Sequence, residues 1–177
     1  MIRISITGPE NSGKSDLAKA LAEHFQTAYA KEFAREYLAE PDGRYGFEDL
    51  TEICKGQIRA EEIAEAEATD ICFFDTDMLV LFVWAKYRFG KIPEIISEQY
   101  RNRHYDHYLL CSPDLPWSPD PFRESPSREE REQLFSIYKK ELEGKKASFS
   151  VVEGKGDVRV GSALKALMEK GFLDKNF

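Results

Sequence analysis

Ile2-Arg3-Ile4-Ser5-Ile6-Thr7, followed directly by Gly8-Pro9-Glu10-Asn11-Ser12-Gly13-Lys14-Ser15, is the stretch from which the fold can be read. A short β-branched run leads into the complete pattern G-x-x-x-x-G-K-[ST], and Leu17, Ala18, Leu21, Ala22 and Phe25 recur behind it at helical spacing. Strand, glycine-rich turn and helix in that order make a phosphate loop. The glycines let backbone N–H groups turn inward around phosphate oxygens, and the helix adds its positive N-terminal end. Gly8, Glu10, Asn11, Ser12, Gly13, Lys14, Ser15 and Asp16 are therefore the expected nucleotide cradle. In it, Lys14 reaches the β- and γ-phosphates of a nucleoside triphosphate and the Ser15 hydroxyl ligates Mg²⁺.

Working outward, the chain alternates between the two periods. Thr27 to Lys31 is β-prone; Glu32 to Leu38 reads as a helix stopped by Pro41-Asp42-Gly43; Phe47, Leu50, Ile53, Cys54, Gln57 and Ile58 begin a long helix running towards Ala68. Ile71-Cys72-Phe73-Phe74 is apolar without interruption, as in a strand covered on both faces, and ends in Asp75-Thr76-Asp77. Met78 to Phe89 is a bulky helix, a shorter one follows Pro93, and Tyr108 to Cys111 is a fourth strand. A helix through Leu134, Ile137, Tyr138 and Leu142, a fifth strand over Ser148 to Val152 and a closing helix through Ala163, Leu164, Leu167 and Met168 complete the pattern. The expectation is one α/β domain over residues 1–177, a three-layer P-loop NTPase fold whose five-stranded parallel sheet is flanked by helices. Ser112 to Ser127, rich in Pro and charge, is expected to be a lid.

In such a sheet the ligand lies beyond the carboxyl ends of the strands, where Glu32, Asp75, Asp77, Asp114 and Glu153 would converge. Asp75 follows a buried strand and is read either as a holder of the Mg²⁺ shell or as a helix cap; Asp77 either caps the next helix or touches a substrate hydroxyl. Glu32 stands where a carboxylate can accept the proton of an attacking hydroxyl, with Arg35 one turn on to orient it; the alternative is a surface ion pair. Arg123 and Arg128 are candidates to clamp the transferring phosphoryl group, as is Arg131, unless it belongs to a solvated face. Gln57, polar on an apolar helix face, either faces the site or finds a buried partner. Trp117 either anchors the lid or stacks on a base.

Composition narrows the classes. The chain of 177 residues carries 25 Lys and Arg against 32 Asp and Glu, a formal charge of −7, which argues against a nucleic-acid partner. No apolar run approaches the ~20 residues of a membrane span, and with a first strand at Ile2 no leader is expected. Cys54, Cys72 and Cys111 lack metal-ligand spacing and read as small buried hydrophobes, and the three histidines are too dispersed for zinc. These features point to the cytoplasm and set no oligomeric state.

With these residues collected, the chain resembles the ribosylnicotinamide kinase domain of the NadR-type NAD-salvage proteins. The matching pieces are Gly8 to Ser15, Glu32-Phe33-Ala34-Arg35-Glu36-Tyr37, Phe74-Asp75-Thr76-Asp77, Tyr108-Leu109-Leu110 and Asp114-Leu115-Pro116-Trp117. The resemblance implies ATP- and Mg²⁺-dependent phosphorylation of the 5′-hydroxyl of nicotinamide riboside; larger members also carry an adenylyltransferase and sometimes a DNA-binding domain, neither of which is expected within these 177 residues. From the residues read above, Lys14, Glu32, Asp75, Arg123 and Arg128 are expected to be catalytic and Ser15 and Asp75 to hold the metal. Glu32, Arg35, Gln57, Asp77, Asp114 and Trp117 would contact the nucleoside. Asn11 stands where that family usually has Ser, and Ala30-Lys31 where it usually has Val-Pro. Competing expectations are a kinase for another nucleoside or small metabolite, and a nucleotide-sensing regulator that no longer catalyses.

Overall fold

The computed structural model describes residues 1–39 and 44–173. In chain order the elements are β1 (Ile2–Thr7), α1 (Lys14–Phe25), β2 (Tyr29–Ala30), α2 (Phe33–Ala39), α3 (Asp49–Glu67) and β3 (Ile71–Asp75). They continue with α4 (Met78–Phe89), α5 (Glu94–Asn102), β4 (His107–Cys111), α6 (Arg128–Gly144), β5 (Phe149–Val152) and α7 (Asp157–Glu169). The helix stop expected at Pro41-Asp42-Gly43 lies outside the described residues.

All five strands join one parallel sheet in the order β2-β3-β1-β4-β5, as the alternation of periods requires. The period of two along each strand sorts the core into layers. Ile4, Ile6, Phe73 and Leu109 point towards α1 and α7, packing on Leu17, Leu21 and Leu167. Their neighbours Cys72, Phe74, Tyr108 and Leu110 point the other way, onto Leu79, Val83, Leu134, Tyr138 and Leu142 of α4 and α6. Leu50, Ile53 and Cys54 of α3 join Met78, Leu81, Ala85 and Ile96 in a third cluster. All three cysteines are buried free thiols.

Strand β2 is shorter than its sequence suggests. Thr27 turns its hydroxyl onto the Ile71 carbonyl at 2.7 Å and accepts the Thr69 N–H at 3.1 Å, so a side chain does the work of ladder bonds at that end. Ladder pairing with β3 covers only Tyr29↔Phe73 and Ala30↔Phe74. Beyond those pairs the turns after β2 and β3 leave the sheet, and their side chains meet the phosphate loop.

Candidate active site

Beyond the carboxyl ends of the strands lies a cavity of about 430 Å³. One end is walled by Gly8 to Asp16, the whole of the expected nucleotide cradle. Gly13 caps α1 at φ +73°, a left-handed conformation that glycine adopts without strain, so the first N–H groups of the helix open into the cavity. The Lys14 ammonium donates to the Pro9 carbonyl of its own loop at 2.9 Å, and the Ser12 hydroxyl donates to the same carbonyl at 2.6 Å.

Beside the cradle, Asp75 is 3 % exposed and its Oδ1 is buried with no protein partner. Burial raises this carboxyl to about 6, the charge of Glu32 adds to the rise, and the Ser15 hydroxyl and Lys14 oppose it. An orphaned carboxylate oxygen beside a serine hydroxyl at a triphosphate cradle is the donor set that Mg²⁺ takes when phosphate oxygens and water complete its octahedron. Among the described residues no group of three or more His, Cys, Asp or Glu could hold a metal by itself.

Glu32 and Arg35 also line the cavity. Arg35 Nε donates to Glu32 Oε2 at 3.0 Å while its Nη1 donates to Asp120 Oδ2 at 2.9 Å. One guanidinium therefore joins the first turn of α2 to the segment between β4 and α6. That segment, residues 112–127, contains neither helix nor strand. It is fastened to the phosphate loop by two side chains that precede Lys14. Asn11 donates to the Pro116 carbonyl at 3.0 Å and accepts from Arg123 Nη1 at 2.8 Å and from the Ser118 N–H at 3.2 Å. The Glu10 carboxylate accepts the Glu124 N–H at 2.9 Å and also the Ser125 N–H.

The far end of the cavity is apolar and aromatic. Ala34 and Leu38 of α2, Val80, Val83, Trp84 and Tyr87 of α4, Leu134 and Tyr138 of α6, and Tyr45 and Phe122 line it. The rings of Tyr45 and Trp84 lie 4.9 Å apart, and Trp84 Nε1 donates to the Tyr45 hydroxyl at 2.8 Å. The Tyr45 hydroxyl in turn donates to Glu124 at 2.8 Å, and Arg88 donates to the other oxygen of Glu124 at 3.0 Å. Burial and the bond to Glu124 push the Tyr45 hydroxyl up to about 12, so it remains protonated.

Several expected contacts lie elsewhere. Asp77 is fully buried; it caps α4 by accepting the Val80 N–H at 3.0 Å and holds β1 through Ser5 at 2.8 Å and Thr7 at 3.3 Å, which leaves no oxygen for a substrate. Gln57, 1 % exposed, takes the buried-partner alternative, bonded to Phe33 and Thr76. Asp114 accepts the Gly154 N–H at 2.7 Å and pairs with Arg159, away from the cavity. Trp117 lies under two guanidinium groups, that of Arg131 in α6 5.0 Å and that of Arg123 6.0 Å from its ring centroid. Arg128 is exposed, pairs with Glu132 at 2.8 Å one turn on, and does not reach the cavity; Arg123 does. Arg131 is buried, its Nη1 on the carbonyls of Ser125, Pro126 and Ser127, which corrects the solvated-face alternative.

Sequence reasoning missed Arg159 and most of the aromatic chamber. Arg159 is 3 % exposed and donates to the Ser12 carbonyl at 2.9 Å and the Gly154 carbonyl at 2.7 Å, bracing the phosphate loop from behind. Its position one turn before Ala163, on the apolar stripe of α7, was the signal. Trp84 and Tyr87 carried none, because in a helix rich in Leu and Val an aromatic residue reads as core.

A family model described as an AAA domain matches residues 3–159, and the chain belongs to that family. The Trifunctional NAD biosynthesis/regulator protein NadR of Escherichia coli (strain K12) is 27% identical over 154 residues, 85% of this chain and 38% of that protein. Its counterpart from Salmonella typhimurium is 26% identical over 138 residues, 76% of this chain and 34% of that protein. The chain thus spans well under half the length of the curated relatives it matches. Among solved structures, NadR protein in complex with NR superposes with a TM-score of 0.77 at 20% identity, over 97% of this chain and 52% of that one. Deoxyadenosine kinase from M. mycoides with bound dATP superposes at 0.59 with 14% identity, over 95% of this chain and all of that one. The fold is that of the P-loop kinases. Among the described residues, no helix is long and apolar enough to cross a membrane.

Proposed function

We propose that this member of the AAA domain family is an ATP- and Mg²⁺-dependent nucleoside kinase acting in the cytoplasm, with nicotinamide riboside as acceptor and its 5′-phosphate, nicotinamide mononucleotide, as product. The observation that carries the reading is the continuity of the cavity: a phosphate cradle and an aromatic wall share one cavity of about 430 Å³ that Glu32 and Arg35 also line. A protein that only senses ATP needs the cradle but no second chamber with a carboxylate at the junction. The name NadR on both curated relatives, and the nicotinamide riboside complex of a protein with this fold, support the choice of acceptor.

In this reading the loop N–H groups and Lys14 hold the triphosphate and stabilise charge developing on the transferred group. Ser15 and Asp75 would hold Mg²⁺, which would supply positive charge to the transferring phosphates. Glu32 accepts the proton of the attacking 5′-hydroxyl, and Arg35 fixes the direction in which that carboxylate points. Arg123 stands on the cradle side and contributes positive charge to the phosphoryl group. The rings of Tyr45, Trp84 and Tyr87 suit a flat cationic pyridinium, since π-faces attract positive charge. Residues 112–127 close over the reactants and exclude water.

The test is incubation of purified protein with ATP, Mg²⁺ and a panel of nucleosides, followed by mass spectrometry of the products. Phosphorylation of nicotinamide riboside is expected. Product from another nucleoside, with nicotinamide riboside inert, would move the reading to a different acceptor, an alternative that the deoxyadenosine kinase likeness keeps specific. Tight ATP binding with no product from any nucleoside would leave the regulator.

A further inference from the structure

We infer that Gln57 is a positioning residue for phosphoryl transfer, locking the turn that carries Glu32 to the turn that carries Asp75. The inference rests on the kinase reading above and adds to it a residue that touches no reactant. Gln57 sits mid-way along α3 on the face formed by Leu50, Ile53 and Cys54. Its Oε1 accepts the Phe33 N–H at 2.9 Å, and its Nε2 donates to the Thr76 carbonyl at 3.2 Å. Phe33 directly follows Glu32 and opens α2, where the first N–H groups have no acceptor within the helix. Thr76 directly follows Asp75.

Three features make this more than a satisfied buried amide. The β2–β3 ladder ends at Ala30↔Phe74, so past that pair the two turns have no ladder bond between them; Gln57 supplies a link two and three residues further on. Thr76 stands at φ +71°, a left-handed conformation that is strained for a β-branched residue and persists only where its surroundings fix it. Its neighbours do so from two sides: Asp77 is tied to Ser5 and Thr7 of β1, and Gln57 holds the carbonyl from α3. Finally, Gly56 lets α3 approach closely, because a Cβ there would stand 2.0 Å from the Phe33 ring. As a stabilising device the arrangement is poor, since two hydrogen bonds scarcely offset burying an amide that an apolar side chain would replace. As a spacer it is apt. Asp75 and Glu32 are close enough for their charges to oppose one another, and a link between their turns keeps them from splaying apart.

The experiment compares Gln57→Met, which keeps length and removes both bonds, with Gln57→Glu, which keeps the acceptor for Phe33 and loses the donor to Thr76. Both are measured for kcat, for KM of ATP and acceptor, for the Mg²⁺ concentration at half-maximal rate, and for cooperative melting. A carboxylate misplaced by about 1 Å loses up to ~10² in rate, so kcat is expected to fall roughly ten- to a hundredfold. The Mg²⁺ requirement should rise and the KM for ATP stay within about twofold. Thr76→Gly, which adopts φ +71° without strain, should shrink the kcat penalty of Gln57→Met; a role confined to packing would leave the penalty unchanged between the two backgrounds. Unchanged kcat and Mg²⁺ requirement in folded Gln57→Met, or an equal penalty in both backgrounds, overturns the inference. Should Gln57→Met not fold, Gln57→Glu alone and with Thr76→Gly decides by the same criteria. If the wild-type protein phosphorylates no nucleoside, the kinase reading fails separately. Calorimetry of a non-hydrolysable ATP analogue with and without Mg²⁺ then decides: weaker metal enhancement of binding in the Gln57 variants supports the lock, and equal enhancement rejects it.

Discussion

At one end of the cavity the wall is largely backbone: the turn from Gly8 to Ser15 and the first N–H groups of α1, contiguous in the chain. At the other end the wall is side chains, drawn from α2, α4, α6 and the residues around Tyr45 and Phe122, which are far apart in sequence. A wall of amides offers the same hydrogen bonds to any phosphate and depends on few side chains. A wall of rings and carboxylates takes its shape from residues that change singly, so it is where one acceptor is told from another. The cradle defines what is transferred, and the chamber what receives it.

The largest effect should come from the one cradle side chain that carries a positive charge. Lys14→Ala is expected to lower kcat by about 10³-fold or more while melting changes little, since the ammonium gives up a single bond to a loop carbonyl. Turnover near the wild-type rate, measured with the best acceptor found, would break the division between the two ends at its root. Next, Glu32→Gln at the junction should reduce kcat by roughly 10²–10³ with the KM for ATP near wild type. If instead the KM for the acceptor rises and kcat holds, Glu32 belongs to the chamber as a hydroxyl-binding group.

Within the chamber, Trp84→Ala should raise the acceptor KM by about tenfold, the ~1.4 kcal/mol of a lost ring face, and leave the KM for ATP unaltered. A matched pair of arginines sharpens the same boundary. Arg123→Ala, on the cavity, should lower kcat by around tenfold or more, whereas Arg128→Ala should change it by less than about twofold, because an exposed i,i+4 ion pair with Glu132 is worth only a few tenths of a kcal/mol. Equal effects would mean that residues 112–127 rearrange enough to bring Arg128 to the reactants.

The smallest effect is one of stability and runs against activity. The folded protein raises the Asp75 carboxyl from 3.8 to about 6. The stabilising contribution of that proton is complete below the ordinary value and is lost as pH rises through about 6. In chelator, Asp75→Asn should therefore be more stable than wild type at pH 7.5, by about 1–3 kcal/mol, with the gap closing as pH falls from 6 to 4. The same variant should need more Mg²⁺ for activity. Melts showing no pH-dependent difference would mean that Asp75 is as well solvated as an ordinary carboxylate.

The sequence by itself determined the parallel five-stranded sheet and the phosphate loop, while the order of the strands, with β1 at the centre, came from the structure. The first two rest on local signals: apolar residues at a period of two or near 3.6, and glycines at fixed offsets before a lysine. It also marked Glu32 and Asp75, since a carboxylate at the end of a buried strand must lie on the ligand rim of such a sheet. Only the tertiary structure decided which polar residues near that rim face the cavity. Asp77 and Asp75 stand two residues apart, yet the left-handed turn at Thr76 sends one into a fully buried cap beneath β1 and leaves the other beside Ser15 with an unpartnered oxygen. Likewise, Trp84 follows Val83 on a helix apolar nearly all round; its indole is part of the chamber because Tyr45, thirty-nine residues earlier, brings a hydroxyl to its N–H. Periodicity reports which residues leave water, whereas the direction each then faces depends on packing between elements distant in the chain, and no local pattern encodes that.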